Sequence, residues 1–182
     1  MHDVIVVGDG PGGLSAALLL GKKGMRVVVF GGDETPMHRA LLRNYLGVDE
    51  ITGTEFQARA RTQVRAFGAQ IHEARAEHVR ITDKGFEAGP GPDTALPCKY
   101  LLLANGDTAM LDRLGVDKTK DGYTVDVRTG RTSVPRLYAT GWAIRQKRTQ
   151  AIIAAGDGAA VALDILSAEA GRDINDFDVV PK

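Results

Sequence analysis

Residues 4–34 read VIVVGDGPGGLSAALLLGKKGMRVVVFGGDE. The apolar run Val4–Val7 has the length of a strand and ends directly in glycine. Gly8-x-Gly10-x-x-Gly13 follows at once, then an alanine- and leucine-rich helix, then a second apolar run at Val27-Val28-Val29-Phe30. Strand, glycine turn, helix and strand in this order are the setting in which such a fingerprint binds a dinucleotide. Gly8 permits the tight turn, Gly10 lets the backbone approach a pyrophosphate, and Gly13 lets helix and strand pack closely. Pro11, Gly12 and Gly13 open the helix. Proline suits that place because its missing N–H would be spare there, and the helix N-terminus offers free N–H groups and a positive dipole end. One part is out of place. The second strand of such a unit normally ends in an acid that holds a ribose. Here it runs into Gly31-Gly32, and the acids come late, at Asp33 and Glu34, either of which is expected to substitute imperfectly as the ribose contact.

Outward from this unit, 182 residues suit one domain with a sizeable core. Twenty-three basic residues balance 23 acidic ones, so no global field recruits nucleic acid or anionic lipid. No run approaches the roughly 20 apolar residues that cross a bilayer, so no membrane partner is expected. The first strand starts almost at Met1, which leaves no room for a signal peptide and makes the cytoplasm the expected compartment. Cys98 is the only cysteine and precedes an apolar run, where it reads as a small core residue. His2, His38, His72 and His78 show no metal-ligand spacing. Arg39, Arg43, Arg59, Arg61 and Arg65 read as a solvated helix face and loop.

Further along, residues 31–46 read as an irregular loop with one helical turn at 39–45. An amphipathic helix is expected over 54–67, with Phe56, Ala60, Val64 and Phe67 on one face and Gly68 as its stop. Short strands follow at 70–71, 77–81 and 86–88, the last two joined by Asp83-Lys84-Gly85. KYLLLANG suits a strand buried on both faces, and RLYATG a last strand before a long helix over 149–170. The pattern is an α/β, Rossmann-like fold: a parallel central sheet, a small antiparallel β excursion and a C-terminal helix. A dinucleotide is expected at the carboxyl ends of the strands.

Three further segments carry a resemblance. RNYLGVDEITGTEFQARARTQVRAFGAQI is similar to the Asn-Tyr-x-Gly loop and helix that follow the second strand in thioredoxin reductases. YLLLANG resembles their strand ending in Ala-Thr-Gly, with Asn105 in place of threonine. GYTVDVRTGRTSVPRLYATG and TQAIIAAGDGAAVALDI resemble their closing FAD motif and last helix. The chain therefore resembles the FAD domain of the thioredoxin reductase-like flavoproteins, within the pyridine nucleotide-disulfide oxidoreductases. The resemblance implies FAD as cofactor. It implies Asn44 near the flavin ring, Gly106 and Gly141 in the two glycine turns, and Gln150-Ala151 at a helix N-terminus facing the flavin.

Departures from the resemblance shape the functional expectation. The family's NAD(P)H-binding domain, which also carries the redox CxxC, would fall between about 107 and 120, where this chain has only a short polar stretch. A lone cysteine cannot perform dithiol exchange. The ribose acid aligns with Gly31, and the aspartate that holds the ribityl chain aligns with Trp142, which could stack on the ligand instead. Two readings follow. One is a reduced FAD-dependent oxidoreductase, not a complete thioredoxin reductase, served by free NAD(P)H, a redox partner protein or a thiol substrate. The other is a degenerate, non-catalytic nucleotide-binding or interaction module. A homodimer stays open, since removal of an inserted domain can expose apolar surface. On this reading, a carboxylate restored at position 31 is expected to tighten FAD binding.

Overall fold

The computed structural model describes residues 1–145 and 147–180. Along the chain run β1 (His2–Val7), α1 (Pro11–Lys22), β2 (Val27–Phe30), β3 (Leu41–Leu42), β4 (Ile51–Thr52) and α2 (Gly53–Ala66). Then come β5 (Gln70–His72), β6 (His78–Thr82), β7 (Gly85–Gly89), β8 (Leu96–Leu103), α3 (Ala109–Arg113), β9 (Lys118–Thr119), β10 (Gly122–Tyr123), β11 (Leu137–Ala139) and α4 (Ala151–Ala170).

The main sheet has the order β5-β2-β1-β8-β7-β6, with β11 also on β8. Strands β5, β2, β1, β8 and β11 are parallel, and β7 and β6 form the antiparallel excursion. One edge of β8 is divided between two partners. Its first half pairs antiparallel with β7 (Phe86 opposite Cys98), and its last residues pair parallel with β11 (Leu103 opposite Ala139). The alternation of strand side chains splits the core into two layers. Val4 and Val6 face α1 and α4, while Ile5 and Val7 face α3 and the antiparallel strands. This is the α/β, Rossmann-like architecture expected from the apolar runs.

Three local expectations change. The turn placed at 39–45 lies earlier, as a 3-10 turn over Pro36–Arg39, because Pro36 sets its first φ and the Thr35 hydroxyl accepts from the Met37 N–H at 3.3 Å. Helix α2 is capped by Thr52, whose hydroxyl accepts the Glu55 N–H at 3.2 Å. Its buried stripe is Gly53, Gln57, Arg61 and Val64, whereas Phe67 is 42% exposed. Arg61 is thus on the inner face rather than in solvent, and its partner there is an acid from the glycine turn. Finally, α4 is long and apolar enough by length and composition to cross a membrane, although Gly156, Asp157, Gly158 and Asp164 interrupt its apolar residues. In this fold its Val161, Ala162 and Ile165 pack into the core.

Candidate functional site

The glycine turn joins β1 to α1 at the carboxyl end of the sheet. Gly8 has φ +110°, and a Cβ there would lie 2.8 Å from the Ala104 backbone. A Cβ on Gly13 would run into the Gly8 carbonyl, so helix and strand touch backbone to backbone. Gly10 is different. It has φ −70°, and its Cβ would meet only the Thr35 hydroxyl at 3.7 Å. Two of the three glycines are therefore demanded by packing, and the third leaves open space above α1. The N-terminus of α1 has no side-chain cap and no acid in its first turn.

Two cavities meet over this turn. The larger, about 590 Å³, is walled by Gly31, Glu34, Arg75, Asp107 and Arg113. The smaller, about 290 Å³, is walled by Gly10, Pro11, Gly12, Met37, Gly141, Trp142, Gln150 and Ala151. Both share Gly8, Asp9, Glu34, Asn105 and Gly106, so they run together as one trench across the ends of β1, β2 and β8. Gln150 caps α4 through its backbone alone, and no acid follows in the first turn. Two uncapped helix N-termini thus converge on the smaller cavity, a positive environment for a phosphate or a reduced ring. Buried polar atoms are normally paired. The Asn105 Oδ1, at the junction, has no hydrogen-bond partner among the described residues, which suits a site built for a polar ligand.

Of the residues singled out from sequence, most converge here. Asn44 does not wall the trench itself, but its Nδ2 donates to the Gln150 Oε1 at 3.1 Å and so steadies a residue that does. Trp142 is 46% exposed and stands beside Gly106, whose Cβ would lie 3.4 Å from the indole Cε3. It is a cavity wall, not a core aromatic. Glu34 lines both cavities, with its carboxylate paired to Arg75. Asp33 lines neither: held at φ +55°, it turns its carboxylate to His38 Nε2 at 3.1 Å.

Asp9 was not singled out, and it lies at the centre. It is buried, its carboxylate pairs with Arg61, and its backbone carbonyl accepts from Gln57 Nε2. Burial pushes its carboxyl above the usual range, against the pull of the Arg61 guanidinium. A Cβ on Gly31 would overlap this side chain, coming 2.6 Å from its Oδ1. The expectation that a carboxylate fits at position 31 is therefore overturned, because Asp9 fills that space. The signal available in sequence was the pair of polar residues Gln57 and Arg61, one turn apart on an otherwise amphipathic helix.

Residues 2–110 match the pyridine nucleotide-disulphide oxidoreductase family. The chain belongs to this family. Among relatives of this chain, the thioredoxin reductase of Spironucleus barkhanus is 32% identical over 117 residues, 62% of this chain and 38% of that protein. The bifunctional thioredoxin reductase/thioredoxin of Mycobacterium leprae is 34% identical over 112 residues, 59% of this chain and 22% of that protein. The match thus spans well under half of each relative. A thioredoxin reductase structure from Gloeobacter violaceus superposes with a TM-score of 0.84 at 17% identity, covering 99% of both chains. One from T. acidophilum gives 0.82 at 17% identity, covering 93% of this chain and 99% of that one. At such identities the likeness shows the fold. Members of the family bind FAD.

Cys98 is 1% exposed in the core, and burial pushes its thiol up to about 12. A thiol so protonated and enclosed is a poor nucleophile. We expect the folded protein to resist a thiol reagent such as Ellman's at neutral pH and to titrate one thiol only after unfolding. Rapid reaction in the native state would contradict this placement.

Proposed function

We propose that the chain is an FAD-binding flavoprotein of the thioredoxin reductase-like kind, acting as a reduced oxidoreductase. The observation that carries this is the continuous trench, with the glycine turn where its two cavities meet and two uncapped helix N-termini on one side. The adenosine half would lie in the larger cavity, and the pyrophosphate over Gly10 and the start of α1. The flavin half would lie in the smaller cavity, against Trp142 and the start of α4. The flavin, when bound, supplies the electron-accepting ring. The protein's own residues bind and orient it, and the N-terminus of α4 favours negative charge on the ring's near side.

Asp107 to Lys120, where the NAD(P)H domain would be expected, holds only α3, β9 and their connections. Cys98 is the only cysteine and is buried. The reductant on this reading comes from free NAD(P)H, a partner reductase or a thiol substrate. The half-exposed Trp142 in place of a ribityl-binding acid is what favours the second reading, a degenerate module without tight flavin. Freshly purified protein should be yellow, or should take up added FAD with quenching of flavin fluorescence. Colourless protein that takes up none sinks the first reading and leaves the second.

Gly10→Val should separate binding from folding. Its φ of −70° accepts a side chain and the nearest atom is 3.7 Å away, so thermal unfolding should stay close to that of the parent. The isopropyl group would occupy the approach to α1, and FAD affinity should fall at least about a hundredfold. Parent-like FAD binding would mean that the pyrophosphate lies elsewhere.

A further inference from the structure

Position 31 ends β2, where a dinucleotide-binding strand carries its ribose acid. Here no side chain fits, because a Cβ on Gly31 would overlap Asp9. The two positions have exchanged roles in space: glycine stands at the strand end, and a carboxylate stands in the glycine turn. Asp9 borders both cavities at their junction and is only 5% exposed. Its Oδ2 accepts the Asp33 N–H at 3.2 Å and an Arg61 guanidinium N–H. Both of these bonds fall on Oδ2, and among the described residues no other residue's side chain or N–H donates to Oδ1. Arg61 is itself held by Glu73, and Gln57 fixes the Asp9 backbone from the previous turn of α2.

Burying an ion pair seldom adds stability over an apolar pair of the same volume. A buried acid oriented by three groups, with one oxygen left over at the floor of a cavity, is accounted for by a ligand. We infer that Asp9 is the ribose acid of this chain, accepting hydroxyls of the adenosine ribose through Oδ1, with Arg61 as its positioning residue. The inference rests on the FAD reading above and adds a selectivity: a carboxylate at this point accepts a ribose diol and repels a 2′-phosphate.

The test crosses a ligand change with a protein change, using calorimetric titration with ADP and 2′,3′-dideoxy-ADP. The parent should bind ADP about tenfold more tightly than the dideoxy nucleotide, as one charge-assisted hydrogen bond implies. Asp9→Asn, which keeps the shape, should reduce that ratio to near one. The double variant Asp9→Gly/Gly31→Glu, with space cleared at position 9, should recover most of it. A parent that binds both nucleotides equally overturns the inference, and so does Asp9→Asn with the parent's ratio. Because the parent comparison needs no variant, a misfolded mutant does not protect the idea. FAD uptake by the parent is read alongside. A parent that takes up FAD yet ignores the ribose hydroxyls fails this inference alone, and one that takes up no FAD fails both this inference and the FAD reading on which it rests.

Discussion

Gly31→Glu is expected to destabilise the protein by on the order of 3–5 kcal/mol, the range for breaking a buried ion pair. The Gly31 N–H donates to the His72 carbonyl at 3.1 Å, which ties the β2 end to β5 and leaves the backbone little room to retreat. The new Cβ would overlap the Asp9 Cβ and Cγ, so Asp9 would have to leave. Arg61, with a side chain only 7% exposed, would lose a buried partner and keep Glu73. Overpacking alone costs about 1–3 kcal/mol in a tight core. Against a typical total stability of about 5–15 kcal/mol, the variant should unfold at a much lower urea concentration. Gly32 is the control. A Cβ there meets nothing closer than 3.9 Å, so Gly32→Ala should leave the midpoint nearly unchanged. A Gly31→Glu protein with the parent's midpoint would show that the Asp9 side chain does not occupy this space.

The contrast between these neighbours shows what could be read in the sequence and what could not. The apolar runs at Val4–Val7, Val27–Phe30 and Leu101–Leu103 identify buried strands by themselves, since both faces of each strand must be covered. The glycine turn is equally legible, because spacing and flanking elements state its purpose. Asp9 with Arg61 is not, since the partners are 52 residues apart and meet only when α2 docks beneath the turn. On sequence alone Arg61 is one of several arginines on an amphipathic helix, and only three-dimensional proximity separates it from Arg59, which pairs on the surface with Glu55. Asp33 shows the reverse failure. Its place in the sequence suggested a ribose contact, but its positive φ directs the side chain toward His38. A two-glycine turn leaves that direction undetermined until tertiary contacts choose it. The split edge of β8 is also invisible locally, because pairing with β7 and β11 depends on long-range register.

Gly158→Val should have the most far-reaching effect on both stability and the site. Helices α1 and α4 cross with backbones in contact: a Cβ on Gly158 would run into the Gly12 carbonyl and lie 3.1 Å from the Gly12 Cα. Neither atom is the movable end of a side chain. Gly12 has no slack of its own, since its Cβ would lie 3.1 Å from the Ala154 carbonyl. A valine would therefore have to push α4 off α1, opening the layer in which Leu14, Ala17, Val161 and Ile165 are buried. Overpacking of a tight core costs about 1–3 kcal/mol, and more where backbone atoms must move apart. The displaced element also carries Gln150 and Ala151 into the smaller cavity, so any protein that still folds should lose FAD binding as well. Gly156, two residues earlier on the same helix, has nothing within 4 Å of its Cβ. Gly156→Ala should raise stability by up to about 1 kcal/mol through helix propensity alone. Urea unfolding and FAD titration of the two variants give opposite signs on this account. A Gly158→Val protein matching the parent in both would mean that α4 does not cross the glycine turn at this residue.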